Sequence, residues 1–322
     1  TLRTPPTAPS PVDVTVGLFV VDVVDIDEDE QTFAFQGNLF LQWSDTRLAF
    51  DPDEMGADEL IYQGEQFEAE FAGWRPQLVL RNLSGTFERQ GLRVRVRSDG
   101  SVTYLEAMQA SAEVKLELRR IPFDRQYLPI TFESLGFGSD RVRLRPDTER
   151  TGIGETTLRQ WRIGEIEPSV AGEPSRQITD APTSQITFTI PLTRHPGYLL
   201  RVLVLPTILL VGLSWSVFWM DRESLGDRMD ISFIGVLTVV AYQIVVSDRL
   251  PRSSELTILT AFIWLSYLFV AATVVINLRV STLDRRGQSA RGERLDRACR
   301  WLFPLSYVSL LALTTGYFLL VA

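Results

Sequence analysis

Residues 226–248 read Gly-Asp-Arg-Met-Asp-Ile-Ser-Phe-Ile-Gly-Val-Leu-Thr-Val-Val-Ala-Tyr-Gln-Ile-Val-Val-Ser-Asp. The stretch is apolar enough for a membrane helix, and Asp227, Asp230, Ile234, Leu237, Ala241, Ile244 and Asp248 recur in it at alternating spacings of three and four. Residues at that period share one helix face. A carboxylate inside a bilayer costs roughly 2.5–3.5 kcal/mol on insertion scales, so it turns toward a bundle interior or water. The stripe is therefore expected to line an aqueous pore.

Outward from this helix, the 322-residue chain divides into two unlike parts. Up to Gly197 it holds 20 Lys plus Arg against 31 Asp plus Glu; from Tyr198 the counts are 12 and 9. The long apolar runs, Leu199–Met220, Ile231–Val246, Leu256–Leu278 and Trp301–Ala322, all lie in the second part. With their flanks they span the ~30 Å of a bilayer core. Four transmembrane helices are expected over about 196–220, 226–247, 255–278 and 298–322. The connection 279–297 and its flank to Arg300 carry seven arginines against three acids, which marks a short cytoplasmic loop. Four crossings then leave the amino-terminal domain and the carboxyl terminus outside. No charged-then-apolar leader precedes Thr1, which reads as a mature chain whose signal peptide has been removed. Cys299 is the single cysteine, so no intrachain disulfide forms.

Residues 1–11, rich in Pro and Thr, read as a flexible lead. From residue 12 to 195 the signal is β alternation. Val12, Val14, Val16 and Leu18 alternate with Asp13, Thr15 and Gly17, and Phe33 and Phe35 precede Leu39, Leu41 and Trp43. Val94 and Val96 alternate with Arg93, Arg95 and Arg97, Val114, Leu116 and Leu118 with Lys115, Glu117 and Arg119, and Ile186, Phe188 and Ile190 with Thr187 and Thr189. Turn chemistry separates these runs at Ser98-Asp99-Gly100, Gly136-Phe137-Gly138, Gly152 with Gly154, and Pro174 with Pro182. The one helical signal lies near Asp58 to Phe67. Many short two-faced strands imply a β-sandwich. His195 is the sole histidine, and neither a nucleophile–histidine pair, a metal-ligand cluster nor a phosphate-cradling glycine loop is present, so an enzyme is not expected.

The order along the stripe gives a pore its chemistry. Acidic rings at Asp227 and Asp230 and at Asp248 would concentrate cations, while rings of Ile234, Leu237, Ala241 and Ile244 form a constriction that can dewet. Leu237 and Ile244 are the candidate gate. The competing reading makes the apolar members ordinary helix packing, with Arg228 as partner for Asp230. One helix cannot enclose a pore, so the chain must assemble around an axis. Pro206 predicts a kink in the first helix.

Arg120-Ile121-Pro122-Phe123-Asp124-Arg125-Gln126 resembles the Phe-Pro-Phe-Asp signature of the pentameric ligand-gated ion channels. Thr193-Arg194-His195-Pro196-Gly197-Tyr198 resembles the arginine segment before their first helix. Ser214–Trp219, Leu237–Tyr242 and Leu250-Pro251-Arg252 resemble the helices and following loop of bacterial members of this Cys-loop receptor superfamily. Their likeness implies a ten-strand sandwich followed by four helices, a homopentamer, ligand bound between subunits, and the second helix around the pore. It also implies coupling through Asp124 and Arg194, near the acidic turn holding Asp27 and Glu28 and the loop holding Pro251. Glu133 stands at an acidic ligand contact of a bacterial member, and Phe19, Trp74, Phe137 and Trp161 are candidate ligand-site aromatics. Leu135 and Val79 replace the Phe and Glu of that member, and sandwich core is the competing role for each aromatic.

The resulting expectation is a bacterial inner-membrane, homopentameric cation channel, its amino-terminal domain periplasmic, embedded in lipid, passing monovalent cations and opened by a small-molecule agonist or by protons. No cofactor and no nucleic-acid partner are expected, and no metal site is assigned. Calcium modulation is an added expectation from the acidic outer domain. The alternative is a membrane-anchored ligand sensor that does not conduct.

Overall fold

A computed structural model describes residues 4–6, 11–171, 182–220, 225–247, 250 and 256–321. The chain forms two compact units: Thr1–Leu116 with Arg125–Thr193, and Glu117–Asp124 with Arg194–Ala322.

The first unit is built from two sheets. One contains β1 (Val12–Asp27), β2 (Thr32–Ser44), β3 (Glu59–Gln63), β5 (Leu83–Arg97), β6 (Ser101–Glu113), β8 (Val142–Pro146) and β9 (Gly152–Ile153). Its order is β3-β5-β6-β2-β1-β8, with β9 on β1. The other contains β4 (Leu78–Leu80), β7 (Arg125–Ser134), β10 (Trp161–Ile163), β11 (Glu167–Ala171) and β12 (Gln185–Arg194), in the order β10-β12-β7-β4 with β11 on β12. Two short helices, α1 (Pro52–Met55) and α2 (Glu65–Glu70), interrupt the strands.

Alternation explains the packing. β2 and β6 pair antiparallel from Thr32↔Glu113 to Ser44↔Ser101, and along both strands every second side chain is buried. Phe33, Phe35, Leu18 and Met108 from the first sheet and Leu128, Ile130, Phe132, Ile186 and Phe188 from the second are all but fully buried. Phe132 and Phe188 meet edge to face at 6.4 Å. Burying one side chain of that size contributes roughly 1.5–3 kcal/mol.

Twelve strands are present among the described residues, against the ten that the resemblance implied, because β9 and β10 are short ladders of two and three residues. Residues 58–67 are not one helix: Glu59–Gln63 pairs with Gln63↔Arg93 to Glu59↔Arg97, and only Glu65–Glu70 is helical. Gly152 is a strand residue paired with Phe19, not a turn. From Val114 to Leu118 burial does alternate, yet β6 ends at Glu113. The apolar side chains are satisfied there without a ladder.

The second unit contains four helices long and apolar enough to cross a membrane. The first, Gly197–Trp219, is composite: α3 (Gly197–Leu199), a π turn (Leu200–Val204), α4 (Leu205–Ser216) and a 3-10 turn (Val217–Trp219). Pro206 has no N–H to offer the carbonyl of Val202. That carbonyl instead accepts from the Tyr242 hydroxyl at 2.6 Å, and Thr207 Oγ1 donates to Leu203 O at 2.6 Å. The other helices are α5 (Leu225–Ser247), α6 (Ile258–Arg285) and α7 (Ser289–Val321). The expected loop 279–297 shrinks accordingly to Arg286–Gln288. Its flanks are rich in helix formers, Arg297 donates to Glu293 at 2.6 Å one turn away, and Gly287 at φ +71° ends α6.

Gly100 offers a check on the sandwich. It turns between β5 and β6 at φ +81°, and a Cβ there would stand 2.6 Å from the carbonyl oxygen of buried Asp45. Gly136, at φ +87°, has open space around it. Gly100→Ala should cost more than ~1 kcal/mol and lower the melting temperature further than Gly136→Ala, which meets backbone strain alone.

Candidate pore-lining helix and coupling ion pair

The helical period divides α5 into two faces. Asp227, Asp230, Ile234, Leu237, Ala241 and Ile244 are all exposed, with Ile234 58%, Leu237 69% and Ile244 67% accessible. The opposite face holds Arg228, Ser232, Gly235, Val239 and Val246, all buried against neighbouring helices. Gly235 lets Ser214 of α4 approach closely: a Cβ there would lie 3.0 Å from its hydroxyl oxygen. Asp248 lies outside the described residues.

Arg228 is not the partner of Asp230. Its Nη1 and Nη2 donate to the two carboxylate oxygens of Asp296 on α7, both at 2.9 Å, and Nη2 also donates to Asn277 Oδ1 on α6 at 3.1 Å. Asn277 Nδ2 donates to Ser232 Oγ at 2.7 Å, and Ser232 Oγ donates to the Arg228 carbonyl at 2.9 Å. All four residues are at most 2% exposed. The sequence held a signal for this cluster: Arg228, Ser232 and Gly235 fall opposite the acidic stripe, where a cation on an apolar helix requires an acid from another helix. Two acids stand among the arginines that follow residue 290, and of these Glu293 pairs with Arg297 while Asp296 takes Arg228. One turn further along α7, Arg300 Nε donates to Phe218 O at 2.8 Å and Trp215 Nε1 donates to Arg300 O at 3.2 Å.

The segment Glu117–Asp124 joins two sandwich strands yet belongs to the helical unit. The N–H of Ile258, the first residue of α6, donates to Arg119 O at 2.9 Å. Asp124 and Arg194 are 1% and 6% exposed. Arg194 Nε donates to Oδ1 at 2.7 Å and Nη2 to Oδ2 at 3.1 Å, a planar fork on a planar carboxylate. Asp27 instead receives the N–H groups of Asp29 at 3.0 Å and Glu30 at 2.9 Å, closing the turn after β1 in which Glu28 sits. Pro251 lies outside the described residues.

The candidate ligand residues are placed in different settings. Trp74 is 4% exposed between Trp43 and Phe137, at ring distances of 6.2 and 6.4 Å. Trp161 is 8% exposed, whereas Phe19 is 37% exposed on β1 and packs over Gly152. Glu133 is buried and already engaged: Arg81 Nη1 donates to it at 3.1 Å and the Thr183 hydroxyl at 2.5 Å. Of these side chains, Trp74 and Phe137 are in ring contact. Sequence reasoning also missed a cavity of about 220 Å³ lined by Arg75, Arg89, Tyr104 and Glu106 among others. There Glu106 accepts from Arg89 and from Tyr104, both at 2.6 Å. Burial, then the charge of Glu106, pushes the Tyr104 hydroxyl well above its ordinary pKa.

Breaking the buried Asp124–Arg194 fork strands a charge. Asp124→Ala is expected to destabilise the purified protein by ~3–5 kcal/mol, read as a large fall in melting temperature. Asp13→Ala, which removes the exposed partner of Arg145, should change it by no more than ~1 kcal/mol.

Comparison with known proteins meets this geometry. Residues 2–196 match the neurotransmitter-gated ion-channel ligand binding domain, and residues 203–293 match the neurotransmitter-gated ion-channel transmembrane region. A proton-gated ion channel of Gloeobacter violaceus is 27% identical over 305 residues, covering 94% of this chain and 82% of that protein. Acetylcholine receptor subunit alpha of Danio rerio is 25% identical over 288 residues, covering 87% of this chain and 61% of its own. Gamma-aminobutyric acid receptor subunit gamma-3 of Mus musculus is 26% identical over 209 residues, covering 63% and 44%. The chain thus spans about half the length of such animal relatives. With matches over the sandwich domain and over the helical unit as far as the first turn of α7, the chain belongs to the neurotransmitter-gated, or Cys-loop, family of pentameric ligand-gated ion channels.

Proposed function

We propose that this chain assembles as a homopentamer in a bacterial inner membrane and conducts cations along a pore lined by α5. The observation that supports this reading most directly is the exposed stripe of α5. Its two carboxylates and its apolar members lie uncovered, while the back of the same helix is buried. Copies arranged around an axis would place those carboxylates in water. On this reading Asp227 and Asp230 raise the local cation concentration, and Leu237 and Ile244 form the constriction that dewets when closed. Asp248 would add a further acidic ring. Arg194 directly precedes the first helix and is gripped by Asp124, which supports a coupling role for the pair. The roles of Asp27, Glu28 and Pro251 in coupling rest on the family resemblance.

Protons are the proposed stimulus. The 27% identical Gloeobacter relative is named for proton gating, and the first 197 residues here carry 31 acids against 20 basic residues. Carboxylates titrate near pH 4, so open probability should rise as the outer pH falls from about 7 toward about 4. His195, the single histidine, provides no histidine cluster within a subunit to set a threshold near pH 6.5. The mechanism is a population shift between closed and open assemblies. Engagement of Glu133 by Arg81 and Thr183 leaves that carboxylate a poor receptor for an amine.

Reconstituted protein should pass current after an acid step, with a reversal potential in a salt gradient on the cation side. Asp227→Asn combined with Asp230→Asn should move that potential toward zero. Leu237→Ser should raise the current at neutral pH by wetting the constriction. A chain that conducts under no tested pH or ligand is a sensor rather than a channel.

A further inference from the structure

Within the first six residues of α5 stand three charges, Asp227, Arg228 and Asp230. At about 100° per residue, Arg228 points roughly 130° away from the mean direction of the two aspartates. That offset alone does not keep a flexible guanidinium out of an adjacent aqueous lumen. Asp296 and Asn277 hold it in place. The fork to Asp296 binds both terminal nitrogens, Asn277 takes a third hydrogen bond, and the group is 2% exposed. Asn277 also grips Ser232, one turn along α5, so the network fixes two successive turns of the helix at a single rotation.

We infer that Arg228 is a positioning residue for ion permeation: the Arg228–Asp296–Asn277 lock sets the rotation that presents Asp227 and Asp230, and keeps a positive charge out of the acidic ring. This rests on the proposed pore role of α5. Without the lock, the guanidinium would be drawn to the nearest carboxylates, those of its own helix. The formal charge at the ring would fall from two negatives per subunit to one. The residue touches no permeating ion. It acts through the two aspartates.

The lock also links the pore helix to α7 directly. A displacement of α7 along its axis would pull on Arg228 and turn the acidic stripe. Of the exposed faces in the helical unit, that of α7 includes Trp301, Leu305, Val308 and Leu313, all at least 61% accessible.

Asp296→Asn tests the lock because it retains the shape and removes the counter-charge. The expected result is a reversal potential moved toward zero and a cation conductance reduced at least about twofold. Arg228→Gln in the Asp296→Asn background removes the released charge and should restore the wild-type reversal potential. A simple scaffold role would leave the double variant as impaired as the single one. An Asp296→Asn channel that conducts with unchanged reversal potential and conductance would overturn the inference. If that variant fails to assemble, Arg228→Lys, whose compact ammonium cannot make the fork, carries the same expectation of a shifted reversal potential. A readout independent of conduction is thiol labelling of Ile234→Cys in a Cys299→Ser background. Asp296→Asn should change its rate by at least about threefold as the stripe turns. Wild-type protein that never conducts would sink the pore reading and leave the rotation measurable; an unchanged labelling rate would then overturn the lock.

Discussion

Charge on an apolar membrane helix must meet water or a partner, and this constraint organises the helical unit. α5 meets it in both ways. Arg228 finds its partners on α6 and α7, in the interior of the bundle. Asp227 and Asp230 stay exposed on the other face, and a single copy of the chain leaves that face uncovered. Isolated charge is therefore absent from the back of the helix and concentrated on its front. The apolar faces of α6 and α7 carry no such conflict, and Trp264, Leu268 and Leu313 can meet lipid.

The same rule explains where α6 is anchored. At its start the backbone N–H of Ile258 is taken by the carbonyl of Arg119, in the segment that also contributes Asp124 to the Arg194 fork. Near its other end Asn277 joins the Arg228–Asp296 pair. These two points are about 29 Å apart at 1.5 Å per residue, close to the thickness of the bilayer hydrocarbon. Between them, hydroxyls turn to nearby carbonyls: Ser266 Oγ donates to Phe262 O at 2.7 Å and Thr273 Oγ1 to Val270 O at 2.7 Å. Strong polar ties thus lie at the two ends of the span. Within it lie hydroxyl ties, local ones and one to α7, where Ser266 Oγ meets the Tyr307 hydroxyl at 2.9 Å.

Much of the fold was legible because its periods are strict. Phe33–Trp43 and Ile186–Ile190 alternate in burial throughout, and Val12–Leu18 does so up to Gly17, which is buried as well. Val114–Leu118 shows the limit of the signal, since alternation reports which side chains are buried and not whether the backbone has a ladder. The length of the connection between α6 and α7 was misjudged for a related reason: charge predicts solvent, but residues 289–297 can be both solvated and helical. The α5 stripe was readable because it needs only one helix. Its Arg228 lock was readable only as a demand for an acid from another helix; which residues meet it was not, as Asp296 and Asn277 lie 68 and 49 residues away. Trp74 and Glu133 show the same limit, because residue type alone does not distinguish a ligand contact from a core ring or a carboxylate already held by arginine.

The two arginine forks differ in what they prevent. Arg194 is the final residue of the last sandwich strand, and its fork keeps a charge buried just before Pro196 and the start of the first helix at Gly197. Arg228 stands on a helix that would remain regular without its partners, so its fork contributes little to secondary structure and mainly fixes direction. A carboxylate–guanidinium pair is suited to both tasks because its two parallel hydrogen bonds define a plane as well as a distance. An apolar contact of equal area would resist separation but would permit rotation of α5 about its axis. On a helix whose two faces differ in charge, rotation is the coordinate that changes which face meets water, and a planar bond is the economical way to restrain it.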